Sequence, residues 1–190
     1  MVARFNFISP EEYLALERRA EYKSEYINGQ IYAMAGGTPE HNLVAGNVLT
    51  ALNIVLRERP CLVFNSDMKV RVPSSMKFHY PDAAVGCDKP RYADDERDVL
   101  LNPLLVVEVL LESTSAYDRG KKFQYYQELE SFREYLLVAQ DEPVVERFVK
   151  QPDGNWLYTK VAELDESIEL VTLNCSLRLR DIYAKVNFSQ

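Results

Sequence analysis

The chain is poor in the residues that build disulfide scaffolds and histidine-rich metal sites. It has three cysteines (Cys61, Cys87 and Cys175) and two histidines (His41 and His79) in 190 residues. An odd number of widely spaced cysteines shows neither a disulfide framework nor a CxxC zinc pattern. Two histidines give little support to a histidine-rich metal centre or a histidine-dependent catalytic triad. The cysteine usage is typical of a reducing compartment, and we therefore expect a cytoplasmic location.

Long apolar segments are missing as well. No apolar run approaches the ~20 residues that a membrane-spanning helix needs, so we expect no association with a membrane. Residues 1–13 contain no apolar stretch followed by a small-residue cleavage site, and we expect no secretion signal. Repeats, low-complexity tracts and linkers are also absent. A chain of this length and pattern predicts one domain over residues 1–190.

The chain has no overall excess of basic residues. Its formal net charge is −7. Residues 1–80 carry nine Lys/Arg and eight Asp/Glu, and residues 81–190 carry thirteen and twenty-one. This balance argues against a tight, sequence-independent DNA-binding protein, whose affinity depends on neutralising phosphates. It remains compatible with an enzyme whose carboxylates are partly neutralised by bound cations.

Start signals and apolar periodicity predict three main helices. Ser9-Pro10-Glu11-Glu12 has a cap, a proline and a capping-box glutamate at the spacing of a helix start. Thr38-Pro39-Glu40 begins a second helix whose apolar face extends to about Leu56. Ser113-Thr114-Ser115 caps the third. Asn28-Gly29 between two apolar runs predicts a hairpin, and further strand-length runs predict one α/β domain.

Two of these strand-length runs each contain one carboxylate where an apolar residue is expected. Asp82 lies in the run at 80–85, and Glu108 lies in the run at 104–110. The unbroken apolar character around Glu108 indicates a strand buried on both faces near the middle of a sheet. A charge in a buried strand is costly unless it is paired or binds a metal. Taken singly, each acid is also explained as a solvated carboxylate at a strand end.

If the two acids occupy neighbouring strands, they form a hydrolytic metal site. Mg²⁺, with Mn²⁺ as a substitute, binds one or two carboxylates and keeps positions for water and phosphate. The carbonyl of Val109 offers a further oxygen. A lysine nearby, Lys121 or Lys122, would orient the attacking water or offset negative charge in the transition state.

Pro81-Asp82 followed by Glu108 resembles the PD-(D/E)XK nuclease motif. The wider series resembles one bacterial family described as restriction endonucleases, and it covers nearly the whole chain. The residues that carry the resemblance are Glu25-Tyr26-Ile27-Asn28-Gly29, Ala33-Met34, His41, Tyr80-Pro81-Asp82, Val107-Glu108-Val109-Leu110, Ser113-Thr114, Asp118, Lys122, Tyr126 and Glu134-Tyr135. The resemblance implies a restriction-endonuclease-like fold, a mixed central β-sheet flanked by α-helices.

The sequence departs from the motif at the lysine. The motif has lysine two residues after its second acid, whereas position 110 is Leu. In the resembling family this lysine has moved to the following helix, which indicates Lys122 here. Lys122 and Tyr126 are one helical turn apart and therefore share a face, while Lys121 faces elsewhere. A solvated helix lysine is the plain alternative for Lys122. An extra acid, Glu112, stands where the family has proline.

The resemblance marks three further residues. Glu25 matches a family acid that contacts the lysine or a metal-bound water, although a surface carboxylate before a hairpin is an equal explanation. His41 matches too, but a lone histidine is more often a hydrogen-bonded structural group. Asp118 is best explained by the first turn of its helix, where negative charge is favoured.

These observations predict a Mg²⁺-dependent endonuclease acting on nucleic acid, with DNA as the expected substrate. Asp82 and Glu108 bind the metal, Lys122 assists the attacking water, and Glu25 is an auxiliary. Cutting two antiparallel strands requires two sites related by a two-fold axis, so a homodimer is expected. The alternative is a catalytically inactive nuclease-fold protein that acts as a binding or assembly module.

Overall fold

Three β-sheets and the helices that flank them make up the computed structural model, which describes residues 7–188. The first six residues, on which the expectation of no secretion signal partly depends, lie outside the described residues. Within residues 7–188, no helix is both long and apolar enough to cross a membrane.

The first two helices begin at the caps that the sequence predicts, whereas the third begins at Ser115 without a side-chain capping bond from Thr114, and the helix at Leu179–Ile182 was not predicted. Ser9 accepts a hydrogen bond from the backbone of Glu12, whose carboxylate accepts one from the backbone of Ser9 in return, which confirms the capping box. Thr38 caps the second helix through the backbone N–H of His41. The helices are α1 (Pro10–Glu17), α2 (Pro39–Val55), α3 (Ser115–Tyr117), α4 (Phe123–Gln127) and α5 (Leu179–Ile182), with a π-helical turn over Asp118–Lys122 between α3 and α4.

The strands fall into sheets of six, five and two in the described part of the chain. They are β1 (Ser24–Ile27), β2 (Gln30–Ala33), β3 (Cys61–Asn65), β4 (Lys69–Val72), β5 (Lys77–His79), β6 (Ala83–Cys87), β7 (Val99–Leu100), β8 (Leu105–Leu110), β9 (Glu134–Ala139), β10 (Val145–Lys150), β11 (Trp156–Val161), β12 (Ser167–Leu170) and β13 (Cys175–Arg178). The six-stranded sheet has the order β11-β10-β9-β8-β6-β3, and the five-stranded sheet has the order β2-β1-β5-β4-β7.

Strand β8 lies in the interior of the mixed six-stranded sheet. It pairs in parallel with β9 and antiparallel with β6, and all six of its residues are buried. Val107 and Val109 pack in a core that includes α2, whereas Val106 and Leu110 pack in an aromatic core that includes Phe123 of α4. The expectation of a strand buried on both faces is confirmed. Side chains alternate between the faces, so Glu108 belongs to the α4 side.

The five-stranded sheet contains the predicted hairpin. Asn28 and Gly29 connect β1 to β2 with positive φ angles of 51° and 87°. A two-residue turn with both residues in this region matches the twist of a hairpin, which explains the Asn-Gly pair. The turn fixes the register of β1 and thereby the position of Glu25. β12 and β13 do not extend the main sheet but form a hairpin of their own.

Cys61 and Cys87 are joined by a disulfide bond, which the sequence pattern did not predict. They lie opposite each other in the antiparallel pair of β3 and β6. Their separation of 26 positions in the sequence gave no indication of this pairing, because the strand register alone brings them together. Cys175 is free. The expectation that the cysteines form no disulfide is therefore wrong, and the cytoplasmic prediction loses one of its supports.

We expect dithiothreitol to lower the free energy of unfolding by about 3 kcal/mol, the value typical for a loop of this length. Urea denaturation with and without the reductant measures the change. A Cys175→Ser variant should respond as the wild type does, and a Cys61→Ser variant should not respond. Three free thiols in the denatured, unreduced protein would contradict the disulfide.

Candidate active site

Strand pairing brings the two predicted carboxylates together. Ala83 of β6 lies opposite Val107 of β8 in an antiparallel pair. Asp82 precedes Ala83 and Glu108 follows Val107, so the same register places these two residues opposite each other. Directly opposed residues point their side chains to the same face of a sheet. Both side chains line one cavity of about 280 Å³.

The amine of Lys122 lies within a ring of three carboxylates. Its Nζ atom is 2.9 Å from Glu108 Oε1, 3.4 Å from Glu25 Oε1 and 3.4 Å from Asp118 Oδ1. The side chain is only 7% exposed. Burial lowers the pKa of Lys122, but the surrounding carboxylates outweigh burial and raise the pKa well above its usual value. Lys122 is therefore a buried, protonated cation.

The π-helical turn selects which side chains face the cavity. Asp118 and Lys122 are buried, whereas Arg119 and Lys121 between them are exposed. Thr114 donates a hydrogen bond to Asp118 Oδ2 at 2.8 Å, which fixes that carboxylate beside the amine. Segments of π-helix inside α-helices are frequent at functional sites. The sequence predicted a plain helix here, so the π turn and the inward position of Asp118 were missed.

Glu25 connects Lys122 to a buried histidine. His79 of β5 is completely buried, and its Nδ1 atom lies 3.2 Å from Glu25 Oε1, at an angle outside that of a regular hydrogen bond. Burial by itself raises the pKa of Glu25, but Lys122 and His79 outweigh it and lower this pKa to about 2. Glu25 is thus an anion at neutral pH and helps hold the lysine in place.

Among the acids that line this cavity, Glu108 has the least favourable electrostatic environment. Tyr126 donates a hydrogen bond to its Oε1 atom at 3.1 Å, the same oxygen that is closest to Lys122. Burial, followed by the neighbouring charges of Asp118 and Asp82, raises the pKa of Glu108 well above its usual value in spite of Lys122. The carboxylates outnumber the cations that neutralise them. A further positive charge would relieve this repulsion.

One oxygen of the Asp82 carboxylate has two neighbours. The backbone N–H of Val109 donates to Asp82 Oδ2 at 2.7 Å, and His41 Nε2 lies 3.3 Å from the same oxygen. Burial lowers the pKa of His41, but Asp82 outweighs burial and raises it. The sequence favoured a structural role for His41, and the structure places it in the cavity wall beside Asp82.

The donor set fits a hard divalent cation. Among residues 7–188, no group of three or more His, Cys, Asp or Glu side chains has the arrangement of a preformed metal site. Mg²⁺ does not require such a group, because it commonly takes one or two carboxylates and completes its shell with water and phosphate oxygens. Asp82 and Glu108 supply two carboxylates at one cavity, and the local excess of negative charge favours a cation there.

All four residues that the sequence singled out as a site line this cavity: Glu25, Asp82, Glu108 and Lys122. Lys121 faces solvent as predicted. Two contributors, His79 and Asp118, were given other roles from the sequence. His79 was assigned only to a strand, and no local pattern distinguishes its contact with Glu25. Asp118 had a usable signal, its spacing of four residues from Lys122.

Replacing Lys122 with Met should destabilise the protein by about 3 kcal/mol, because three carboxylates lose their common cation. Adding Glu108→Gln should recover part of this loss, since the most buried acid then needs no cation. Urea unfolding of both single variants and the double variant measures the coupling. Lys121→Met, at the exposed neighbouring position, should change stability by less than about 0.5 kcal/mol. An equally small effect of Lys122→Met would contradict the buried ring.

Glu25 should give the protein a measurable acid sensitivity. Its pKa is about 2 in the folded state against 4.5 in the unfolded chain, so its contribution is fully present above pH 4.5 and is lost as the pH falls toward 2. The full contribution is roughly 3 kcal/mol. The difference in unfolding free energy between the wild type and Glu25→Gln should therefore shrink over this range. Glu21→Gln, at an exposed position, is the control, and a pH-independent difference for Glu25→Gln would contradict the assignment.

Comparisons with known proteins agree with the fold. A crystal structure of a protein from Anabaena variabilis, described as a "putative nuclease", superimposes with a TM-score of 0.75 over 95% of this chain and 99% of that one, at 18% sequence identity. The two share a mixed α/β fold in which mixed β-sheets are flanked by α-helices.

Sequence comparison gives two relatives in Synechocystis, both described as uncharacterized proteins. One is 37% identical over 186 residues, which is 98% of this chain and 96% of the relative. The other is 33% identical over 169 residues, covering 89% and 96%. The model of the Uma2 family, described as "Putative restriction endonuclease", matches residues 10–180. The chain therefore belongs to the Uma2 family.

Proposed function

We propose that this protein is an endonuclease that hydrolyses phosphodiester bonds of nucleic acid, with DNA as its substrate and Mg²⁺ or Mn²⁺ as its cofactor. One observation carries the proposal. Asp82 and Glu108 come from paired strands and share a cavity with the buried cation Lys122. Membership of a family described as restriction endonucleases supports it.

Asp82 and Glu108 are the residues that would hold the metal ion. Lys122 and Tyr126 both make their closest contacts with Glu108 at Oε1, which leaves Oε2 as the oxygen to offer to a cation. The carbonyl of Val109, the residue whose N–H fixes Asp82, is a candidate third oxygen. When bound, Mg²⁺ lowers the pKa of water and stabilises the charge that develops on phosphate.

Lys122 acts as a fixed positive charge. Because its pKa is raised well above the usual value, it does not serve as a base near neutral pH. An ammonium group can instead orient the attacking water and stabilise negative charge on the phosphoryl oxygens. Glu25 keeps this ammonium in position through its contact at 3.4 Å. His79 contacts the same oxygen of Glu25, with its Nδ1 atom 3.2 Å from Oε1.

The reaction is a direct displacement at phosphorus. The oxygen of water forms the new P–O bond and releases one proton to solvent, the bond between phosphorus and the leaving sugar oxygen breaks, and the leaving oxygen takes up a proton from solvent. No side chain becomes covalently attached to the substrate. The four site residues therefore act by positioning and by electrostatics, which is sufficient for phosphoryl transfer in other enzymes.

Three further features belong to the same proposal. We infer that residues 1–190 form one domain and that the protein acts in the cytoplasm, where DNA is accessible. Two copies of the protein associate so that their two active sites face the two antiparallel strands of the DNA. A cytoplasmic location implies that the Cys61–Cys87 bond forms only when the surroundings become oxidising.

The contact of Lys122 with Glu108 supports the nuclease function over the alternative of a binding or assembly module. A nuclease-fold protein that only binds a partner has no need of an ammonium group held against buried carboxylates. Leu110 at the usual lysine position and the acidic net charge favour that rival. Lys122, with 7% of its side chain exposed and 2.9 Å from Glu108, replaces the missing lysine and favours catalysis.

Cleavage of supercoiled plasmid and single-stranded DNA in Mg²⁺ or Mn²⁺ tests the proposal. We expect the wild type to cut, and Asp82→Ala and Lys122→Ala to lose at least about 100-fold in rate, since each removes charge from the reacting centre. Lys121→Ala is the matched control and should retain full activity. Cleavage that persists unchanged in both site variants, or survives chelation of the metal, would contradict it.

A further inference from the structure

Tyr117 lines the active-site cavity, and its hydroxyl group is buried without a hydrogen-bond partner among the described residues. Tyr117 immediately precedes the π turn that carries Asp118 and Lys122. An unpaired buried hydroxyl costs free energy, and native proteins rarely leave one without a reason. A partner that joins the protein during function is one such reason.

The other tyrosines of the cavity wall are already engaged. The hydroxyl of Tyr32 donates to Gln30 Oε1 at 2.5 Å, and that of Tyr80 donates to Glu17 Oε1 at 2.8 Å. The hydroxyl of Thr114, also in the wall, donates to Asp118. Tyr117 differs from all three because its donor is not committed to a protein oxygen.

The chemistry of the cavity indicates what this donor can bind. Burial, with Glu25 next, raises the pKa of Tyr117, so the phenol keeps its proton at neutral pH and can donate. The surrounding charges that act on it most are Glu25 and Lys122, the cation proposed to stabilise the phosphoryl oxygens and the carboxylate that holds it. A ligand with unshared oxygen acceptors fits this position, and the non-bridging oxygens of a phosphodiester are such acceptors.

We propose that Tyr117 donates a hydrogen bond from its phenolic oxygen to a non-bridging oxygen of the substrate phosphodiester. This inference rests on the proposed nuclease function and adds a substrate-contacting residue to it. Tyr117 and Lys122 then bind phosphate from the same helical segment, one as a neutral donor and the other as a cation. A permanently bound water molecule at the hydroxyl is the competing explanation.

The test compares Tyr117→Phe with the wild type and with Tyr158→Phe, a control at an exposed position on β11. We expect Tyr117→Phe to cleave a single-stranded oligonucleotide in Mg²⁺ at least about tenfold more slowly, the effect of one hydrogen bond to a charged group. Its thermal midpoint should equal or exceed that of the wild type, because no protein partner is lost. Tyr158→Phe should match the wild type in both measurements.

The other results overturn the inference in recognisable ways. If Lys122→Ala is inactive while Tyr117→Phe cleaves at the wild-type rate, the nuclease function stands and the role of Tyr117 is wrong. A lowered thermal midpoint in Tyr117→Phe shows a structural hydroxyl instead. If the wild type does not cleave, the contact is tested by measuring the affinity of the wild type and of Tyr117→Phe for the same oligonucleotide in Ca²⁺. Weaker binding by Tyr117→Phe supports the contact, whereas equal affinity or no binding rejects it.

Discussion

The buried contact between Lys122 and Glu108 is the interaction on which the site depends. The ammonium group of Lys122 and the carboxylate of Glu108 lie 2.9 Å apart and are removed from water. Burying either charge without the other would cost several kcal/mol. Glu25 and Asp118 add negative charge around the same amine. Because the acids exceed the cations, the cavity favours both a fixed lysine and an additional positive ion. This excess of negative charge supports the proposed metal-dependent chemistry.

The fold assembles this site by bringing separate segments of the chain to one face of a sheet. The register of β6 with β8 places Asp82 opposite Glu108. The hairpin turn at Asn28 and Gly29 fixes the position of the strand that carries Glu25. The π turn between α3 and α4 directs the side chain of Lys122 into the same cavity. Aromatic packing of α4 against the sheet keeps that turn in place. No single segment forms the site, so changes far from it alter its geometry.

Much of this arrangement was predictable from the sequence. The caps at Ser9 and Thr38 and the unbroken apolar strand around Glu108 each follow from local chemistry, and the structure confirms them. The disulfide of Cys61 and Cys87 was not predictable, because only the pairing of two strands far apart in sequence creates it. The same holds for the π turn and for the contact of His79 with Glu25. Long-range register and local helix irregularities leave no periodic pattern in the chain.

The most direct test is a crystal structure of the protein soaked with Mn²⁺, with data collected at the manganese absorption edge. We expect one anomalous peak bonded to oxygens of both Asp82 and Glu108, with the amine of Lys122 still buried against Glu108. A peak held by other residues, or an amine turned out to solvent when the ion binds, would contradict it.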